Sequence, residues 1–487
     1  MMKYSGKILG IVIVAVWIVM MANLIKKNVF NSSNFFFEEK YLVEDIESRQ
    51  EWAGLYLKKQ KIGYSFSEIK RMEEGYRITE NMFMNMKVMG VPQKIESKIN
   101  SVTDREMNLE NFSFRIKSGV VSFIAYGNLD NDILKLMIVS GGKKSNKELK
   151  LKDKPILSTG LKYFILKKGL KVGSSFRRVV FDPLTLANRA IDVEVVSKEK
   201  ITIHGKEIDC FKIKEVFNGI ELFTWVDEQG ETIKEESPIG IVLIRETKEE
   251  ALKIFDGDKV DLISETAVKV DKKIILKGLT YLKLRIKNIN INDFDLDWER
   301  QVQNKDVVEV KAEHLSGKDT YVLPFNDSGM DKYLAPTTLI QSDDEEIKTL
   351  AKSIIKEEND AKKAVNKLYL WVYENIEKKP TLSIPSALEV VKTKQGDCNE
   401  HAVLFTALCR AIQVPARICA GIVYVNEGFF YHAWSEIFLG RWITIDPTLK
   451  QFPADVTHIK FFEGEMEDQL GVLNLVGRLE IEVLEQK

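Results

Sequence analysis

Gly396-Asp397-Cys398-Asn399-Glu400-His401 stands directly before Ala402-Val403-Leu404-Phe405-Thr406-Ala407-Leu408-Cys409. The second stretch is apolar nearly all round, the pattern of a helix buried on every side. Cys398 then occupies the first turn, where the positive end of the helix favours a thiolate. Asp397 is placed to cap the free amides, with Glu400 reaching back from three residues on as in a capping box. Gly396 leaves room for a substrate backbone to approach. Together these are what a nucleophilic cysteine needs. Cys409 and Cys419 sit among apolar residues and read as inert core; Cys210 lies far upstream.

A base and its orienter follow downstream. His432 lies in the alternating run Phe429 to Leu439, and Asp446 ends the next strand in Ile443-Thr444-Ile445-Asp446-Pro447-Thr448. An imidazole can take the thiol proton, and a carboxylate fixes its tautomer and stabilises its charged form. Strand parity tests the pairing. A two-residue Gly440-Arg441 turn sets Leu439 opposite Trp442 and throws His432 and Asp446 onto opposite faces. A three-residue loop, Leu439-Gly440-Arg441, brings Asp446 opposite Trp434 and diagonal to His432 on one face. The triad Cys398, His432, Asp446 therefore predicts the longer loop. His401 shares a helix with Cys398 and is assigned to structure or substrate contact. His204 and His314 read as surface residues, and His458 has no role derivable from its spacing. With no paired metal-ligand spacing, neither a metal nor a cofactor is expected.

Outward from this centre the chain divides into regions. Ser342-Asp343-Asp344-Glu345 has capping-box spacing and opens an amphipathic run through Ile347, Leu350, Ile354 and Ile355; a second helix begins at Ala361. Residues 341–487 read as an α+β domain. Residues 51–260 alternate with period two and read as antiparallel sheet, with turns at His204-Gly205 and Asn218-Gly219. Met82, Met84 and Met86 share one parity there, as core or as the lining of a lipid or peptide groove. A second β-rich region, 261–340, has its clearest segments at Tyr281 to Ile286 and Val307 to Val310, with no partner sheet assigned. The fold class is thus α+β.

The ends and the totals add localisation. Ile8 to Ile25 carries no charge, is flanked by Lys3, Lys7, Lys26 and Lys27, and lacks a small-x-small cleavage site. It is expected to be an uncleaved transmembrane signal anchor within residues 1–27, with 28–50 as a stalk and the bulk of the chain extracytoplasmic. Across 487 residues, 71 Lys+Arg balance 72 Asp+Glu. That balance offers no pull toward nucleic acid.

The motifs resemble the bacterial transglutaminase-like family within the papain-like cysteine enzymes. Gly396-Asp397-Cys398-x-Glu400-His401-Ala402, Pro415-Ala416-Arg417, His432-Ala433-Trp434, Trp442 and Asp446-Pro447-Thr448 carry the match in order. Tyr333-Leu334-x-Pro336-Thr337, Ile340 to Asp344, Pro385 to Leu388 and Ala454-Asp455-x-Thr457-His458 extend it toward the membrane-anchored or exported branch. The resemblance implies Cys398 as nucleophile, His432 as general base then acid, Asp446 as orienter, and a thioester intermediate. It also implies an oxyanion hole made by the Cys398 amide and a second donor. The expected substrate is an envelope peptide or protein, with hydrolysis favoured over cross-linking. The competing expectations are a non-catalytic assembly module and a lipid or lipoprotein carrier with an accessory terminal domain.

Overall fold

The alternation upstream of residue 250 builds one sheet of fifteen strands between Arg49 and Glu246, antiparallel except at its edge, where Ile156–Leu157 pairs parallel with Ser175–Asp182. The computed structural model describes residues 45–88, 90–119, 121–217, 220–253, 261, 268–380, 384–469, 471–472 and 475–487. The apolar run 8–25 and most of the expected stalk lie outside these. Among the described residues no helix is long and apolar enough to cross a membrane.

The first eight strands follow one another across the sheet and the last seven return from the far edge, so that Ile241–Glu246 pairs with Arg49–Leu57. The two edge strands, Lys143–Lys150 and Ile156–Leu157, are separated only by Leu151 to Pro155. Laid flat, fifteen strands would hold those edges about 67 Å apart. So short a link spans at most about 20 Å. The sheet must therefore curl on itself, and its interior contacts agree: Phe112 packs on Phe181 with ring centroids 5.3 Å apart, and the Leu109 amide donates to the Pro155 carbonyl at 2.8 Å. A short helix that alternation did not reveal, Leu161–Lys168, closes the interior with Leu161, Tyr163, Ile165 and Leu166. At the expected His204-Gly205 turn, the two residues have φ of 50° and 78° between Ile203 and its partner Lys206; Asn218 and Gly219 lie outside the described residues, and Phe217 and Ile220 on either side of them pair. Met86 is buried beside Leu55, Leu57 and Ile62, with Met82 and Met84 packed against that cluster. The methionine stripe is core packing.

The second β-rich region finds its partner at the far end of the chain. Tyr281–Lys287 lies between Val307–Lys311 and the last strand, Glu480–Gln486, in a sheet of five. Residues 341–487 are thus not self-contained, because their final strand completes a sheet begun before residue 290.

Helices gather in residues 345–411. The first starts after Asp344, whose side chain accepts from the Glu346 amide at 2.8 Å. Capping spacing had placed Ser342 at that position. Ser342 is instead buried in a turn, its amide donating to the Ile340 carbonyl at 2.8 Å. Helices Glu345–Ile355, Ala361–Asn375 and Ala387–Thr393 pack around helix Cys398–Ala411, which also contacts a four-stranded antiparallel sheet. That sheet runs Trp442–Ile445, Gly428–Phe438, Ala416–Val425, Ile459–Glu463. Among the described residues strand accounts for 50% and helix for 17%, so the α+β expectation resolves into a mostly β fold with one helical cluster.

Candidate active site

The cysteine helix is built as its sequence reads. Asp397 accepts from the Asn399 amide at 2.9 Å while its own amide donates to Glu400 Oε2 at 2.9 Å, closing the capping box. Gly396 serves this box rather than a substrate: a Cβ there would lie 2.2 Å from Glu400 Cβ. His401 is fully buried, its Nδ1 2.6 Å from the Asp397 carbonyl oxygen, so its ring braces the helix.

His432 arrives on strand Gly428–Phe438 and Asp446 just beyond strand Trp442–Ile445. Phe438 pairs with Trp442 and Ser435 with Ile445, the register of the three-residue loop. The two side chains consequently meet, His432 Nε2 to Asp446 Oδ2 at 2.7 Å. That leaves Nδ1 for the thiol. The His432 ring and the Ala433 backbone amide both lie against the Cys398 thiol and favour its ionised form. All three predicted residues are brought together.

Their electrostatics depart from the simplest expectation. Burial pushes the Cys398 thiol up, and the Asp397 carboxylate that caps the helix adds to this; His432 and the Ala433 amide offset only part. The cap that orders the helix thus opposes the thiolate that the helix end favours. Burial alone would pull His432 down, but the Asp446 carboxylate and Cys398 raise it to about 9. Burial alone would likewise push Asp446 up, and the two imidazoles beside it reverse the direction and hold it low.

The second imidazole is His458, for which sequence reasoning found no role. Its Nε2 lies 3.0 Å from the same Asp446 Oδ2, and its Nδ1 lies 3.2 Å from Asp455 Oδ1. The available signal was Asp455-x-Thr457, an Asx turn in which Asp455 accepts the Thr457 amide at 2.9 Å and so aims the next side chain inward. Asp446 also accepts the Thr448 and Leu449 amides at 2.7 and 2.9 Å. Ligand-type atoms of His432, Asp446 and His458 lie within 4.8 Å of one another, but the two nitrogens that face Asp446 Oδ2 are engaged there as hydrogen-bond donors and offer no lone pair to a metal.

Residues from the second β-rich region hold this loop in place. Arg300 donates to the carbonyls of Ala454 at 2.5 Å and Asp455 at 2.9 Å, and Gln301 exchanges hydrogen bonds with the Lys460 backbone at 2.8 and 2.9 Å. Glu313 accepts from the Thr444 amide at 3.1 Å, on the strand that leads to Asp446. The other cysteines, 210, 409 and 419, are buried free thiols, and burial pushes all three up.

A cysteine at a helix start, a histidine on the adjoining sheet and a carboxylate behind it define the class of papain-like cysteine folds. Within that class, residues 348–447 match the transglutaminase-like superfamily, and this part of the chain is a transglutaminase-like domain. A peptide-N(4)-(N-acetyl-beta-glucosaminyl)asparagine amidase of Drosophila melanogaster is 33% identical over 63 residues, 12% of this chain and 9% of that protein. The chain therefore spans only a small part of the curated relative it matches. Among solved structures, a candidate cysteine protease from Cytophaga hutchinsonii is 21% identical, covering 43% of this chain and 86% of its own at a TM-score of 0.29. A β-barrel-like protein of a domain of unknown function, from Brucella abortus, is 11% identical, covering 41% and 95% at a TM-score of 0.32.

Proposed function

We propose that the chain is a cysteine enzyme of the transglutaminase-like class that acts on amide or peptide bonds of a peptide or protein. The observation that carries this reading is the assembly of Cys398 at the start of a capped helix, the His432 ring beside it and Asp446 hydrogen-bonded behind that ring. Cys398 Sγ attacks the carbonyl carbon while its proton passes to His432. The carbon–nitrogen bond then breaks, the amine leaves with that proton, and a thioester remains. Water, deprotonated by His432, forms the new carbon–oxygen bond and releases the thiol. An amine in place of water would give cross-linking; hydrolysis is the favoured outcome, since nothing in the chain identifies an amine acceptor. Asp446 holds the imidazole with Nδ1 toward sulfur throughout. The Cys398 amide, at the first helical position, lacks an intrahelical acceptor and is suited to the developing oxyanion. The run Ile8 to Ile25 is proposed to tether this enzyme to a membrane, with envelope peptides or proteins as substrates.

The test uses alkylation of the full chain by iodoacetamide, with the labelled cysteine identified by mass spectrometry. Because the Cys398–His432 pair must lose one proton before sulfur can attack, labelling is expected to rise with pH toward about 9. Cys398→Ala is expected to abolish that labelling and His432→Ala to slow it at least tenfold. Labelling of Cys398 that ignores the loss of His432 would sink the activated-nucleophile reading.

A further inference from the structure

Asp446 Oδ2 serves two imidazoles at once, and only one of them faces the thiol. His458 is 1% exposed and lies between two carboxylates, with one ring nitrogen near each. An ionised carboxylate can only accept. Asp455 is fixed in that state by its own partners, accepting the Thr457 hydroxyl at 2.6 Å and the Gln451 side-chain amide at 2.9 Å. Both His458 nitrogens must then donate, which makes the ring a buried imidazolium.

We propose that His458 is a positioning residue that, backed by Asp455, shares the Asp446 carboxylate with His432 and so weakens the hold of Asp446 on the His432 proton. The proposal rests on the reading of Cys398 and His432 as a nucleophile and base pair. Two cations competing for one carboxylate each hold their protons less tightly than either would alone. The rings lie 5.8 Å apart at 64°, close enough for direct repulsion. His432, raised to about 9 with His458 in place, would rise further without it.

Other charges face His458 as well. Arg300, from the second β-rich region, holds the His458 carbonyl at 3.5 Å as well as those of Ala454 and Asp455. Arg300, Glu313, Glu436 and Lys460 line one small cavity with His458. Among them Arg300 lies 3.7 Å from Glu313 and Lys460 2.7 Å from Glu436. These pairs largely cancel, leaving Asp446 and Asp455 as the carboxylates that set the charge of His458.

The experiment is the pH profile of Cys398 alkylation by iodoacetamide in the full chain, with circular dichroism as a check on folding. His458→Gln keeps an N–H donor toward Asp446 but no charge, and its midpoint is expected to move up by about one pH unit. Asp455→Asn is nearly isosteric and removes the charge that keeps His458 doubly protonated, so it should move the midpoint in the same direction. A merely structural His458 would lower stability or overall rate and leave the midpoint in place. Midpoints equal to wild type in both folded variants would overturn the proposal. So would nitrogen-15 spectra of the wild-type histidines showing His458 neutral at pH 7, a measurement that needs no variant to fold. A wild-type midpoint that moved on adding EDTA would make the trio a cation site and also overturn it. An unmoved midpoint in a protein where His432→Ala still slows labelling defeats this inference alone; labelling indifferent to His432 defeats the underlying reading.

Discussion

The interior of the curled sheet and the surroundings of Asp446 both enclose carboxylates, and Glu80, Glu215 and Glu235 in the first are shifted opposite to Asp446, Asp455 and Glu436 in the second. On the concave face of the sheet, Glu80 stands opposite Ser67, Glu235 opposite Thr224 and Leu243, and Glu215 opposite Leu222 and Val193. Lys162 is the cation set among them, 2.9 Å from Glu51. Burial pushes Glu80 up to about 7 and Glu215 up to about 8, and raises Glu235 as well. Near Cys398, burial pushes Asp446, Asp455 and Glu436 the same way, yet all three end below their ordinary range. Each has dedicated partners: two imidazoles for Asp446, His458 and Thr457 for Asp455, and Arg417 and Lys460, both at 2.7 Å, for Glu436. Burial sets one direction everywhere; matched partners decide where it is reversed.

The comparison breaks most visibly at Asp446. Asp446→Asn takes the shared acceptor from two buried imidazoles, and a loss of about 3–5 kcal/mol is expected in urea unfolding at pH 7. A carboxylate held low contributes stability above its unfolded value, near pH 4, and loses it as the pH falls. Wild type and variant should therefore converge in acid, and equal unfolding midpoints at pH 7 would refute the account. Arg300→Leu should have a smaller effect, on the order of 2–4 kcal/mol, because it leaves Glu313 without its buried cation and three loop carbonyls without their donor. It should also slow Cys398 alkylation, since the loop it clamps carries His458. Unfolding that weakens without any change in alkylation would separate the second β-rich region from the site.

What was legible in the sequence followed local periodicity. The capping residues Asp397 and Glu400, the buried helix after them and the parity of His432 with Asp446 all depend on spacings of a few residues, and requiring those two side chains on one face sufficed to predict the three-residue loop and its register. Arg300 and Glu313 touch the site from more than 100 positions upstream, and Glu480–Gln486 joins a strand that began near residue 281. Such pairings leave no periodic trace. His458 lies between these cases, because the Asx turn that aims it is local but the carboxylate it reaches is known only once the sheet is assembled. Helix Leu161–Lys168 escaped because its surroundings alternate, and its apolar residues fill the interior of a curl that strand parity does not encode.

The smallest expected effect sharpens the contrast from the other side. Glu215 is raised to about 8, so the folded chain binds its proton more tightly than the unfolded chain does. Wild-type stability from this group is complete below the ordinary carboxylate range, near pH 4.5, and is lost as the pH rises toward 8. Glu215→Gln imitates the protonated acid at every pH. It should match wild type at pH 4.5 and gain about 1–2 kcal/mol in urea unfolding at pH 8.5, a figure reduced for the partial exposure of the concave face. Cys398 alkylation should not change, since both strands flanking Lys206–Phe217, Ala187–Ile203 and Ile220–Val226, belong to the curled sheet. A loss at pH 8.5 in place of that gain would mean that Glu215 is charged in the folded chain and matched by a cation, and the two regions would then treat their carboxylates alike.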